Sequence, residues 1–310
     1  MNGAIIGLGH GKRVIFEAFK LLNVNLVGVF SKNLEKSIKF SLNNNIKKIF
    51  KNFDELINDK EIEIIAIAVP SYYQINFIKK CLAKNKKIFC EKPILVDSKS
   101  FADLSRLLNK SKSKFIVDYI FLEHEAFKKF KKILPRSINK KAKINIIFNF
   151  QSYNNKNKIK NWKNFPKFGG GIVNLYLSHI IHYLFYFFGN ITKIKKIKKT
   201  NYSMEIHCVF KSGIVANIII DSNNKSNEHS IIYEDSKNII SLKNLTKDFA
   251  KGFRIHKFIK QKNNKKIIKY EDKINNFKGD GRIYLTKKLI NSFFKKFTKK
   301  ENIKLINEYL

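Results

Sequence analysis

The chain has 310 residues, a length that suits two domains of ordinary size. Its composition, 44% hydrophobic and 28% charged residues, is that of a globular protein and excludes a disordered or fibrous chain. The formal net charge of +38 predicts attraction to anions, but nearly all of it comes from lysine rather than the arginine that nucleic-acid recognition favours, so no specific nucleic-acid partner is expected.

Residues 1 to about 118 alternate short β-branched runs with amphipathic helical stretches, which predicts an α/β domain with a doubly wound parallel sheet. The predicted strands are 4–6, 26–30, 62–69, 87–90 and 115–117. The predicted helices are 12–22, 34–42, 53–57, 72–84 and 98–108. We place the boundary of this domain near residue 120 and assign residues 1–120 to it.

The pattern changes after residue 120, and residues 121–310 are predicted to form a C-terminal α/β domain. A helix over 123–134, a strand over 143–151 and a loop over 152–160 lead to the apolar helix 172–188. Further strands are predicted at 191–198, 204–210, 214–221, 229–234, 238–242 and 266–270, and helices at 281–297 and 301–309. Because these strands follow one another without helices between them, we expect a mostly antiparallel, open-faced sheet.

A glycine-rich loop follows the first predicted strand. It consists of Gly7, Leu8, Gly9, His10 and Gly11, and a helix is predicted directly after it. A loop of this kind between strand and helix lets backbone amides approach the pyrophosphate of a dinucleotide. The third glycine comes one residue earlier than in a strict GxGxxG pattern. The loop nevertheless predicts a Rossmann domain that binds NAD or NADP.

The end of the second predicted strand bears on the choice between these two cofactors. An acidic residue there would bind the ribose 2′-hydroxyl of NAD, but the residues present are Ser31 and Lys32. A hydroxyl next to a cation suits a 2′-phosphate, which favours NADP. The alternative interpretation is that Ser31 only caps the helix that follows.

Residues Glu91, Lys92 and Pro93 follow a predicted buried strand, at the edge of the sheet where ligands of such sheets bind. Together with Val69-Pro70 and the glycine loop, they resemble the glucose-fructose oxidoreductase / inositol dehydrogenase family. The resemblance implies that Lys92 is catalytic, next to the nicotinamide and the reacting hydroxyl. It also implies that Glu91, Val69 and Pro70 contribute to the cofactor site.

The resemblance extends to Gly169-Gly170-Gly171 and the apolar helix behind them. It implies that His179 faces the substrate as a second catalytic residue, although a histidine in an apolar helix can also be purely structural. Leu175 occupies the position where family members commonly have an aspartate. The predicted substrate-binding residues are Trp162, Asn174, Tyr176 and His182. His179 and His182 are three residues apart, but no acid or cysteine lies near them to complete a metal site, so no metal is expected.

The family resemblance implies reversible hydride transfer between NAD(P) and a secondary alcohol or ketone. The substrate would be carbohydrate-like: a sugar, a sugar nucleotide or a cyclitol. Segments around Asp118-Tyr119, 125–127 and Trp162-Lys163 are similar to bacterial members of surface-polysaccharide pathways. The resemblance also implies a homo-dimer or homo-tetramer. Two alternatives stay open: an NAD(P)-binding sensor or regulator without catalysis, for which Leu175 is the main argument, and a binder of anionic surfaces or nucleic acids that depends on the positive charge.

The remaining features indicate a cytoplasmic protein. Three cysteines without CxxC spacing predict neither a disulfide framework nor a metal site. The first residues lack the pattern of an export signal. Polar residues interrupt the apolar stretch 172–188, so it is predicted to be a buried helix and not a membrane span.

Overall fold

The computed structural model of this chain describes residues 1–94, 98–135 and 141–295. The chain divides into two compact units. The first contains Met1–Ile120, Pro166–Gly169 and the segment that begins at Arg282. The second contains Phe121–Phe165 and Gly170–Gly281.

A parallel sheet of six strands forms the centre of the first unit. Its elements in chain order are β1 (Asn2–Ile6), α1 (Phe16–Lys20), β2 (Asn25–Phe30), α2 (Leu34–Asn43), β3 (Lys48–Ile49), α3 (Phe53–Asn58), β4 (Ile64–Ile67), α4 (Ser71–Ala83), β5 (Lys87–Cys90), α5 (Ser98–Lys110) and β6 (Phe115–Val117). The strand order is β3-β2-β1-β4-β5-β6. The chain therefore reverses its winding direction between β1 and β4, and ligands of such sheets bind at that point.

The strands of this sheet are buried on both faces. Every residue of β4 is buried, as are Ala4, Ile5 and Ile6 of β1. Continuous apolar strands are what helices on both sides of a parallel sheet require. This arrangement confirms the predicted doubly wound fold of the N-terminal part.

An eight-stranded sheet forms the centre of the second unit. Its elements are α6 (Glu125–Ile133), β7 (Lys143–Gln151), α7 (Tyr153–Lys156), α8 (Ser178–Phe188), β8 (Ile191–Lys199), β9 (Ser203–Phe210), β10 (Val215–Asp221), β11 (Asn223–Glu234), β12 (Asn238–Asn244), β13 (Arg254–Ile259) and β14 (Asn264–Ile268). The order is β14-β13-β12-β11-β7-β10-β9-β8, and only β7 and β10 pair in parallel. The mostly antiparallel sheet is thus confirmed.

Buried and partly exposed residues alternate along the strands of the second sheet. In β9 the buried residues are Met204, Ile206, Cys208 and Phe210. They join Ile180, Leu184 and Phe187 of α8 in one apolar core. Alternation of this kind is expected for a sheet with one covered face.

The chain ends its described part with α9 (Gly281–Lys295), most of which belongs to the first unit. Among the described residues, no helix combines the length and apolar character needed to cross a membrane. The three cysteines are buried thiols without disulfides.

Two strands and one short helix of the structure were not predicted. The strands β3 and β13 were not predicted, because β3 has only two residues and β13 has apolar residues on both faces. The predicted loop 152–160 contains α7, whose first turn is capped by the Ser152 hydroxyl. The predicted helix at 301–309 and the end of the helix predicted for 281–297 lie outside the described residues.

Candidate functional site

The glycine loop of the first unit joins β1 to α1. The N–H of Gly7 donates to the carbonyl oxygen of Phe30 over 2.9 Å, and Gly7 has φ +90°. A Cβ at Gly7 would lie 2.5 Å from the carbonyl oxygen of Ala68. A Cβ at Gly11 would lie 2.7 Å from a methyl group of Ile5, whereas one at Gly9 would meet no other atom within 4 Å. Gly7 and Gly11 are therefore required by internal packing, while Gly9 leaves its backbone open to a ligand.

The chain turns into a helix directly after this loop. A π-helical turn over Gly11–Ile15 precedes α1, and Leu8 is buried. The N–H groups of a first helical turn have no partners within the helix and favour anions. Gly11 thus permits close packing of helix and strand although it comes one residue early for a strict GxGxxG pattern.

Three further segments follow the carboxyl ends of neighbouring strands. Ala68 after β4, Glu91 after β5 and Asp118 after β6 each donate their N–H to the last carbonyl oxygen of the adjacent strand, over 2.8 to 2.9 Å. The backbone hydrogen-bond ladder of the parallel sheet therefore continues one residue beyond each of these strands. It aligns Ala68, Glu91 and Asp118 along one edge of the sheet.

Gln74 of α4 holds two of these segments together. Its side chain is fully buried, and Nε2 donates to the carbonyl oxygens of Val69, over 3.2 Å, and Glu91, over 2.9 Å. Gln74 was not predicted as a site residue.

The structure brings three ionisable side chains together at this edge. Nε2 of His10 lies 2.8 Å from Oε1 of Glu91 and 3.8 Å from Oδ2 of Asp118. The ligand atoms of all three groups lie within 4.8 Å of one another, which is close enough for a metal site, so the expectation that the chain holds no metal stays a prediction. Thr286 of α9 donates from its hydroxyl to Oδ1 of Asp118 over 3.4 Å.

These contacts and the burial of the cluster shift the pKa values of all three side chains strongly. Burial lowers the pKa of His10, but the negative charge of Glu91, with Asp118, outweighs it and raises the pKa to about 9. Burial acts to raise the pKa of Glu91, but the charge of His10 holds it at about 2. Burial and then the charge of Glu91 raise the pKa of Asp118 to about 7. His10 and Glu91 therefore form an ion pair at neutral pH, next to an acid that titrates near neutrality.

The predicted catalytic lysine, Lys92, directly follows Glu91. It is partly exposed, and its charge contributes to the low pKa of Glu91. The peptide bond between Lys92 and Pro93 is cis. Val69 and Pro70, which precede α4, are also partly exposed. The predicted roles of Lys92, Val69 and Pro70 stay predictions.

Ser31 and Lys32 lie at the end of β2. The N-cap of α2 is Asn33, whose side chain accepts from the N–H of Lys36, while Ser31 accepts from the N–H of Asn33 over 3.3 Å. The ammonium group of Lys32 lies 4.4 Å from the ring centroid of Tyr73 and 3.3 Å from its hydroxyl. Lys32 is exposed but is held in place by an aromatic side chain of α4.

In the second unit, His179 lies in the first turn of α8. It is 6% exposed, and its ring packs edge-on against Phe121 with centroids 5.2 Å apart. Phe249 lies next to it at 6.3 Å. The imidazole is therefore part of an aromatic cluster, and its predicted catalytic role stays a prediction.

The other residues predicted to bind substrate lie on the segments before α8 or within it. Asn174 donates from its side chain to the carbonyl oxygen of Gly170, and Tyr176 packs against Phe150 with ring centroids 4.8 Å apart. His182 is buried, which lowers its pKa to about 3. A Cβ at Gly170 would lie 2.4 Å from the carbonyl oxygen of Trp162, so this glycine permits close contact with the Trp162 turn.

Comparison with known proteins identifies the first part of the chain. Residues 1–119 match the model of the Gfo/Idh/MocA family, described as an oxidoreductase family with an NAD-binding Rossmann fold. This N-terminal part of the chain is therefore similar to the Gfo/Idh/MocA family.

Sequence relatives match this chain over part of their length. An uncharacterized oxidoreductase of Synechocystis sp. is 24% identical over 178 residues, 57% of this chain and 48% of the relative. A trans-1,2-dihydrobenzene-1,2-diol dehydrogenase of Xenopus tropicalis is 29% identical over 79 residues, 26% of this chain and 24% of the relative. This chain thus matches about half or less of the length of these relatives.

Solved structures share the fold over the whole chain. A levoglucosan dehydrogenase in complex with NADH and levoglucosan aligns with TM-score 0.82 at 12% identity, over 100% of this chain and 95% of that one. A 3-ketoreductase from Actinomadura kijaniata, in complex with NADP and TDP-benzene, aligns with TM-score 0.77 at 10% identity, over 100% and 94%. At these identities the likeness shows that this chain has the fold of these structures, and it shows nothing about their ligands or activities here.

Proposed function

We propose that this chain is an NAD(P)-dependent oxidoreductase that transfers hydride between nicotinamide and a secondary alcohol or ketone of a sugar, a sugar nucleotide or a cyclitol. The observation that carries the proposal is the glycine loop: Gly7 and Gly11 are fixed by packing, and Gly9 alone leaves space above its backbone. That division of roles is what a dinucleotide pyrophosphate needs from such a loop. The two solved structures named above, which bind NADH and NADP, support the choice of cofactor and substrate class.

The residues of the first unit would hold the cofactor in separate regions. Gly7 to Gly11 would bind the pyrophosphate, and Ser31 with Lys32 would bind the adenosine end. Val69, Pro70 and Glu91 would line the nicotinamide end. We favour NADP over NAD because a cation rather than an acid follows β2, and because Tyr73 holds that cation at the end of the strand.

The bound nicotinamide would supply the hydride donor or acceptor, and the chain would have to move one proton at the substrate oxygen. We propose that Lys92 polarises that oxygen and that His179 exchanges its proton, as the family resemblance implies. Asn174, Tyr176, Trp162 and His182 are proposed to bind substrate. A role in surface-polysaccharide synthesis fits this substrate class and is part of the proposal.

Turnover tests the proposal directly. The protein is incubated with NAD⁺ or NADP⁺ and a panel of sugars, sugar nucleotides and cyclitols, and reduced nicotinamide is followed by its absorbance. We expect turnover with at least one member of the panel and its loss in Lys92→Ala. Cofactor binding without turnover on any member would favour the sensor alternative, for which Leu175 is the sequence argument. Full turnover in Lys92→Ala would refute the role of Lys92.

A further inference from the structure

His10 joins two loops that the sheet itself does not bring together. The glycine loop follows β1 and the Glu91 loop follows β5, and β4 lies between these strands. The imidazole crosses this gap, with Nε2 2.8 Å from Oε1 of Glu91. Asp118 follows β6, and its Oδ2 lies 3.8 Å from Nε2 of His10. One side chain therefore connects the carboxyl ends of three strands.

We propose that His10 is a positioning residue that holds the Glu91-Lys92 loop against the glycine loop. In this arrangement, proton binding by the His10–Glu91–Asp118 cluster sets the affinity of the chain for an anionic dinucleotide. This inference rests on the proposed function, because it assumes that the glycine loop binds the pyrophosphate. It goes beyond that function by assigning a coupling role to His10 and a proton-binding role to Asp118.

The surroundings of His10 define which groups take part. Glu91 and Asp118 are the acids that face its imidazole, and Lys92 acts on the cluster through Glu91. Thr286 of α9 contributes an uncharged hydroxyl to Asp118. In the helical turn that follows the glycine loop, Nε of Arg13 donates to the carbonyl oxygen of Gly9 over 3.4 Å. Asp118 is 5% exposed, so a charge on it is felt by its neighbours with little screening by water.

The charge of the cluster changes in two steps as the pH rises. With the pKa of Asp118 at about 7 and that of His10 at about 9, the cluster is neutral in weak acid. It gains one negative charge when Asp118 ionises and a second when His10 loses its proton. Each added negative charge disfavours an anion bound at the adjacent loop. Affinity for the dinucleotide should therefore fall at both steps.

The test measures the dissociation constants of NADH and NADPH from about pH 6 to about pH 10, a range that spans both steps. In the unaltered protein we expect affinity to fall roughly threefold to tenfold at each step. Asp118→Asn keeps an oxygen for Thr286 and should remove the lower step. His10→Gln should remove the upper step and weaken binding in neutral solution roughly tenfold. His10→Lys keeps the charge and should restore much of the affinity. His207→Gln, on the partly exposed side of β9, is the control and should keep both steps.

The outcomes separate this inference from the proposed function. If the unaltered protein binds neither cofactor at any pH, the proposed function and this inference both fail. If it binds but His10→Gln keeps the affinity and pH profile of the unaltered protein, only this inference is overturned. NMR titration of the His10 imidazole without cofactor gives a second measurement that no folding defect of His10→Gln can affect. The imidazole should titrate near its raised pKa of about 9 and at lower pH in Glu91→Gln. An identical titration in both proteins would overturn the inference.

Discussion

Gln74 lies fully buried in α4, and its side-chain nitrogen donates to the carbonyl oxygen of Glu91 over 2.9 Å. The same nitrogen also donates to the carbonyl oxygen of Val69. The segments after β4 and β5 are thereby held at a fixed distance, directly before the lysine proposed for catalysis. The geometry of the proposed cofactor site depends on a residue that itself need not touch the cofactor.

Gln74→Leu should therefore loosen the Glu91-Lys92 loop. The change removes the donor of two carbonyl oxygens, and we expect the free energy of unfolding to fall by about 1 to 3 kcal/mol. Affinity for the cofactor should fall as well. Chemical denaturation and cofactor titration measure the two effects. Gln151→Leu, at an exposed position in β7, is the matched control and should leave both nearly unchanged. Unchanged cofactor affinity in Gln74→Leu would argue against a positioning role.

Two glycines of the loop should respond in opposite ways to substitution. At Gly7, with φ +90° and the Ala68 carbonyl oxygen 2.5 Å from an added Cβ, alanine should reduce stability by roughly 1 to 3 kcal/mol or more. At Gly9, alanine should leave the melting temperature unchanged, because an added Cβ meets no atom within 4 Å. It should nevertheless weaken cofactor binding roughly tenfold or more, because the pyrophosphate needs that space. Tight binding by Gly9→Ala would show that the ligand lies elsewhere.

Lys32 should determine how strongly the protein prefers NADPH. Lys32→Met keeps the apolar stem and removes the ammonium group next to Tyr73. We expect the affinity for NADPH to fall roughly tenfold and that for NADH to stay within about twofold, because only NADPH has a 2′-phosphate to pair with the charge. Lys288→Met is the control, since Lys288 lies over the ring of Tyr284 in α9. Equal losses for both cofactors would contradict this assignment.

The second unit should lose stability in acid through its buried histidines. Burial lowers the pKa of both His182 and His229 from 6.5 to about 3. Between these values the unfolded chain binds protons that the folded chain does not, so stability falls as the pH drops below 6.5 and is retained above it. Each histidine should contribute a slope of about 1.4 kcal/mol per pH unit. Urea unfolding followed by the fluorescence of Trp162, the only tryptophan, reports on this unit.

His229→Phe isolates one of these two contributions. The side chain lies among the rings of Phe121, Phe127 and Phe148, which should accept another aromatic ring. At neutral pH the variant should lose about 1 kcal/mol, because the Tyr183 hydroxyl loses its partner at 3.2 Å. Below pH 6.5 the free energy of unfolding of the variant should fall less steeply with decreasing pH than that of the unaltered protein. The difference between the two slopes should equal the contribution of one histidine. An unchanged slope would show that His229 takes up a proton in the folded state.

The sequence predicted the architecture well because the pattern of each sheet is strong. Continuous apolar strands separated by helices indicated the parallel sheet, and consecutive alternating strands indicated the antiparallel one. The prediction from sequence failed for short or irregular elements. The two-residue strand β3 has no period to detect, and the one-turn helix α7 depends on capping by a single hydroxyl.

The candidate site was predicted only as separate segments. His10 was predicted as a cofactor residue because it lies in the glycine loop after the first strand, and Glu91 because the family resemblance implies it. Their contact was not predicted, since it depends on how far the imidazole reaches past β4. The sequence also contained a signal for Asp118 that was not used. An acid directly after a predicted buried strand is expected at the same edge of the sheet as His10 and Glu91. Gln74 also had such a signal, as a polar residue on the buried side of an amphipathic helix.

The most direct test of the account is a titration of the purified protein with NADH and with NADPH, followed by nicotinamide fluorescence. We predict saturable binding of at least one of them, with tighter binding of NADPH. If neither binds at concentrations well above the micromolar range, the glycine loop is only a turn between β1 and α1, and the proposal of an NAD(P)-dependent oxidoreductase is wrong.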